Sequence, residues 1–151
     1  MKTLEEQDVS TGCWSEYDTL EKVIVCEPKY MEIQEVINDV QKAYKEENIN
    51  KKIAQQQHEA FTEQLEENGV EVIHLPTSKE HPEQVFTRDI GFTLGEEVFV
   101  AEMANEIRAG EEEVLEQWLA SSNTDYQKLE TNKIEGGDVI IDRDTVYVGI
   151  S

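Results

Sequence analysis

Two short stretches place carboxylates where an apolar strand begins. In IEGGDVII, Ile134–Ile141, Glu135 and Asp138 flank Gly136 and Gly137, and the strand follows at once. In FTRDIGF, residues 86–92, Asp89 stands in the corresponding place, with Phe86 and Arg88 beside it. Glycines allow a sharp turn and close approach of backbone. A plain turn does not explain both acids as readily. Acids carried by separate strand starts can hold a cationic ligand between them. Each residue also has a structural alternative. Asp89 can pair with Arg88 or a neighbouring loop, Asp138 can cap its own turn through its side chain, Phe86 can simply pack, and Arg88 can hold the loop through carbonyls or acids.

Other residue types capable of chemistry are sparse. Cys26 sits inside the apolar run VIVC and is expected to be a core thiol. Cys13 lies in a polar lead-in with no activating neighbour in sequence. His58 shares an apolar helix face, His74 ends a strand, and His81 precedes Pro82 in a loop. None has metal-ligand spacing to a cysteine or carboxylate, so no metal and no cofactor is expected.

The chain has 151 residues, one ordinary domain's length, with 34 Asp and Glu against 13 Lys and Arg and a formal charge of −21. Such a charge repels nucleic acid and anionic membrane surfaces. No apolar run reaches the roughly 20 residues of a bilayer-spanning helix, and MKTLEEQDVS lacks a secretion signal's basic and apolar regions. A reduced, cytoplasmic protein is the expectation.

The elements that must position the acids follow from pattern. Residues 1–12 are expected to form a flexible segment and 13–151 the domain. Val23–Cys26 is a short buried strand stopped by Pro28, and a helical stretch follows over 32–46. NKKIAQQQHEAFTEQLEENG predicts a helix with Ala54, His58, Phe61 and Leu65 on its buried face and Gly69 as its stop. Val70–Leu75 is a second strand ended by Pro76. A hairpin turns near Gly95–Glu96. NEIRAGEEEVLEQWLASS predicts an amphipathic helix burying Ile107, Val114, Leu115, Trp118 and Leu119. A final hairpin turns at Asp142–Asp144. The two hairpins share a plan of acid, strand, polar turn and aromatic-bearing strand, a weak internal repeat compatible with units packed around a common axis.

FTRD at Phe86–Asp89 and IEGGD at Ile134–Asp138, in this order and in these strand contexts, resemble the guanidino-group-modifying enzymes: arginine deiminase, dimethylarginine dimethylaminohydrolase and the amidinotransferases. The stretches WSEYDTLEKVIVCEP, GVEVIHLP and DIGFTLGEEVFVAEM are similar to theirs as well, so the resemblance runs from about residue 13 to the end. It implies an α/β fold of pentein type, a propeller of five ββαβ units, of which this chain holds an incomplete N-terminal part.

The resemblance also implies chemistry. A cysteine thiolate attacks the guanidinium carbon, a histidine acts as general acid and base, and water hydrolyses the covalent thiouronium. Asp89 inherits the role of holding guanidinium nitrogens. Glu135 inherits contact with those nitrogens and support of the histidine. Phe86 and Asp138 are the further candidates for lining the site. A guanidinium is a planar cation with donors along its edges, which paired carboxylates can accept. The family's cysteine and histidine fall after the EGGD strand, so neither is assigned here. The 151-residue chain is therefore expected to be inactive by itself, either a truncation or a half completed by another chain. The partner expected is a small cationic guanidino substrate, with self-association or a C-terminal half also possible. The alternative is a non-catalytic pentein module that binds a cationic ligand or a basic partner.

Overall fold

The computed structural model describes residues 10–36, 38–129 and 133–149. The chain forms two compact units, Leu20–Thr87 and Met1–Thr19 with Arg88–Ser151. Most of the expected N-terminal segment, residues 1–9, lies outside the described residues.

In the Leu20–Thr87 unit, strand β1 (Lys22–Cys26) pairs in parallel with β2 (Glu71–Leu75), Val25 opposite His74. Parallel pairing needs a long crossover. Helix α1 (Asp39–Tyr44) and helix α2 (Lys51–Glu67) supply it. Asn38 and Asn50 cap the two helices, their side chains accepting from the amides of Gln41 and Ile53. The helix expected over 32–46 is thus confined to one short piece. Gly69 ends α2 at a φ of 84°, as its position predicts. Val25, Cys26, Ile73 and Leu75 are buried between the strands and their surroundings. Phe61, expected on the buried face of α2, is 54% exposed, and Thr62 is buried instead. The inward row therefore runs Ala54, His58, Thr62, Leu65, one step round the helix from the predicted stripe.

In the other unit, β3 (Gly91–Leu94) and β4 (Glu97–Val100) make the expected hairpin, with Gly95 at a φ of 61° in its turn. The short strand β5 (Tyr126–Lys128) adds in parallel to β4, where sequence suggests only a loop. Helix α3 (Glu111–Ser121) packs on β4 and buries Leu115, Trp118 and Leu119. The amphipathic helix predicted over this region is broken. Glu106–Arg108 is a single 3-10 turn, and Gly110, at a φ of 95°, separates it from α3. A second hairpin joins β6 (Val139–Asp142) to β7 (Thr145–Val148), turning at Arg143 and Asp144. Arg88 straps the unit together. It donates to both oxygens of Glu16 at 3.3 and 3.1 Å and to the Val139 carbonyl at 2.7 Å, while Glu16 accepts from the Ile141 amide at 3.2 Å.

Candidate functional site

Asp89 precedes β3, and the EGGD turn precedes β6. The two are joined backbone to backbone: the Gly136 amide donates to the Asp89 carbonyl at 2.8 Å. The glycines make that contact possible. A Cβ on Gly136 would collide with the carbonyl oxygens of Arg88 and Gly91. A Cβ on Gly137 would sit 2.6 Å from Asp89 Oδ1. The glycine pair thus lets one turn lie directly on the other, and the two acid-bearing strand starts meet in one compact unit.

The acids are held by different partners. Asp89 Oδ2 accepts from Arg108 Nη1 at 2.6 Å, rather than from Arg88. Glu135 Oε1 accepts from the Ala104 amide at 3.0 Å. Asp138 turns its side chain inward on its own motif, Oδ2 accepting from the Glu135 amide at 3.2 Å. That is the capping role weighed for it from sequence. Phe86, by contrast, belongs to the Leu20–Thr87 unit. Its ring is exposed and helps to line a cavity of about 290 Å³ with Ile33, Val40, Tyr44, Ile49 and Glu83.

Arg108 is the residue that sequence reasoning missed. Its guanidinium also donates from Nε and Nη2 to Glu111 Oε2, at 3.0 and 2.7 Å. Burial works against its charge, but the bonds to Glu111 and Asp89 outweigh that and push its pKa upward. The available signal was a basic residue three positions before an acid at the start of an otherwise acid-rich helix.

The nucleophile candidates are quiet. Cys26 is buried with its thiol near the carbonyl oxygens of Leu75 and Glu27, both at 3.9 Å. Burial, then the nearby Glu16 carboxylate, pushes the Cys13 thiol up, opposite to what activates a thiolate. His58, His74 and His81 all lie in the Leu20–Thr87 unit. Among the described residues no group of three metal-ligating side chains gathers, and no helix is long and apolar enough to cross a membrane.

A family model for the eukaryotic N,N-dimethylarginine dimethylhydrolases matches residues 27–151. The chain belongs to this family. That membership puts it in the guanidino-modifying pentein superfamily. The Bacillus subtilis protein YkgA is 50% identical to this chain over 141 residues, covering 93% of the chain and 49% of YkgA. A bifunctional arginine dihydrolase/ornithine cyclodeaminase, AgrE, of a Nostoc species is 28% identical over 128 residues, covering 82% of the chain and 18% of AgrE. Among solved structures, the product-bound N-terminal domain of the cyanobacterial arginine dihydrolase ArgZ superposes with a TM-score of 0.73 at 23% identity, covering 88% of the chain and 50% of that domain. A dimethylarginine dimethylaminohydrolase adduct gives 0.70 at 20% identity, with the same coverages. These likenesses show the mixed α/β fold of the pentein enzymes. The chain spans about half the length of YkgA and of a Caenorhabditis elegans relative.

Proposed function

We propose that this chain is the N-terminal part of a hydrolase that removes an amine from the guanidinium carbon of arginine, dimethylarginine or a similar compound. Asp89 and Glu135 accept hydrogen bonds from the guanidinium nitrogens, and Asp138 holds the EGGD turn in shape. The thiolate that attacks the guanidinium carbon, and the histidine that protonates the leaving amine and then activates water, are supplied by a segment following this one in the complete propeller. Glu135 supports that histidine. Hydrolysis is preferred to amidino transfer because the matching family is named a dimethylhydrolase and two relatives carry an arginine dihydrolase activity in their names, whereas none is named a transferase.

The observation that carries this reading is the Gly136–Asp89 backbone bond. It ties the two acid-bearing motifs into one unit, Asp89 on one and Glu135 with Asp138 on the other. A planar cation met by two acids gains charge-assisted hydrogen bonds that a neutral ligand of the same shape does not. A product assay on the complete gene product with L-arginine and N,N-dimethylarginine tests the reading. Citrulline should appear with release of ammonia or dimethylamine, and Asp89→Ala should abolish it. The 151-residue chain alone should turn over neither substrate. Turnover by the short chain would mean that one of its own residues is the nucleophile.

A further inference from the structure

Trp14 is 55% exposed, whereas the other tryptophan, Trp118, is buried on α3. A large ring left in water on a fixed support marks a contact surface, and tryptophan is the commonest anchor of such surfaces. The support here is fixed on both sides. Cys13 exchanges two backbone bonds of 2.8 Å with Gly95, and the Trp14 carbonyl accepts from the Arg143 amide at 2.8 Å. The lead-in thus stitches the turn of the β3–β4 hairpin to that of the β6–β7 hairpin. The edge of the indole lies on Gly95, where a Cβ would meet the ring at 3.2 Å. Trp14, Leu94, Gly95, Glu96, Glu97 and Arg143 line an open groove of about 340 Å³. It lies at the turn end of β3, and Asp89 precedes the other end of that strand.

The charge of the groove decides what fits it. Arg143 donates from both Nη atoms to Asp18, at 3.1 and 2.8 Å, with its guanidinium over the Tyr17 ring. Glu96 and Glu97 are exposed, and no base among the described residues pairs with either carboxylate. The groove therefore offers indole and leucine surface beside two uncompensated negative charges. A second copy of the chain is a poor occupant. A twofold contact would set these carboxylates against their own copies, between molecules of charge −21.

We propose that this groove docks a basic segment of a partner protein, in which a lysine or arginine adjoins an apolar residue. The apolar residue packs on the Trp14 indole and Leu94. The cation reaches Glu96 or Glu97 across the indole, whose face attracts it as well. Guanidino binding at Asp89 plays no part in this contact.

The test is a titration with a blocked pentapeptide of alternating lysine and leucine, on both the 151-residue chain and the complete gene product. Lysine is used so that guanidino binding elsewhere contributes nothing. Trp118 is buried, so a blue shift of the emission and its protection from acrylamide report on Trp14. Affinities of the variants are read by calorimetry. Trp14→Ala should weaken binding about tenfold or more. Glu96→Gln combined with Glu97→Gln should weaken it about fivefold. Glu63→Gln combined with Glu66→Gln removes the same charge from exposed positions on α2 and should leave the affinity at its native value. Equal losses in the two double variants overturn the proposal, because the peptide then answers only to overall charge. Native affinity in Trp14→Ala overturns it, as does binding without a change in Trp14 emission, or no binding by the short chain. Binding that is lost in the complete gene product assigns the groove to the protein's own following segment and overturns the partner.

Discussion

The Gly136 amide donates to the Asp89 carbonyl at 2.8 Å, so the turn that carries Glu135 lies directly on the turn that carries Asp89. This answers why two glycines stand between two acids. Gly136 is packed where only a hydrogen fits, against the Arg88 and Gly91 carbonyls. Gly137 lies against the Asp89 carboxylate itself. Asp138 closes the turn by accepting from the Glu135 amide. The two acids of the motif thus close the turn reciprocally as a capping box, and Glu135 also accepts from the Ala104 amide.

The two glycines should fail differently when given a methyl group. In Gly136→Ala the new Cβ meets backbone oxygens that cannot rotate away. Stability should fall by on the order of 3 kcal/mol, read as a lower urea midpoint. In Gly137→Ala the Cβ meets Asp89 Oδ1 at 2.6 Å, the end of a side chain. Stability should fall by only about 1 kcal/mol, while arginine affinity by calorimetry should fall more than in any variant of similar stability. Equal stability losses at the two positions would show that the glycine pair has no such division of roles.

Much of the frame was legible because period and punctuation agree there. β1, β2 and both hairpins carry apolar runs bounded by proline, glycine or paired polar residues. Three features were not legible, each for a local reason. β5 is short and polar, and it exists only because β4 offers an edge for it. The region 105–122 has helical periodicity throughout, but Gly110 adopts a φ of 95° and splits it. The stripe of α2 was misplaced by one step, since Phe61 and Thr62 are adjacent and hydrophobicity favours the wrong one. At the candidate site, Asp89 and Glu135 were singled out from motif. Arg108 falls inside the predicted amphipathic helix with no role of its own, because nothing in a linear pattern shows which of many acids a basic residue will reach.

His58 should make the Leu20–Thr87 unit sensitive to mild acid. Burial lowers its pKa from 6.5, and His74, with ring centroids 6.3 Å apart, lowers it further. Glu27 and Glu59 act in the opposite direction and do not overcome this. The unfolded chain therefore binds more protons than the folded one between the lowered value and 6.5, and stability falls as pH falls through that window. The melting temperature should drop between about pH 7.5 and about pH 5.5, before the carboxylates titrate. His58→Gln should flatten the dependence. A native profile already flat over this range, or one unchanged in the variant, would remove His58 as its source.

The β6–β7 hairpin should make the 151-residue chain self-associate. Ile140 and Tyr147 lie opposite each other across the hairpin and are 53% and 57% exposed. On the other face Val139 and Ile141 are buried, yet their cross-strand partners Val148 and Val146 are exposed. Beyond β6, β7 has no strand partner among the described residues, so an unpaired edge runs beside apolar side chains. Such an edge templates pairing with another chain. A net charge of −21 opposes association, so it should strengthen as added salt screens that charge. Sedimentation velocity should show a mass average rising with both protein and salt concentration. Val148→Lys, which puts a charge on the edge strand without touching the Asp89 turn, should shift the chain towards monomer at every concentration. A native chain that stays monomeric in high salt would show that the exposed hairpin is tolerated by itself, and the need for a covering segment would lose its physical support.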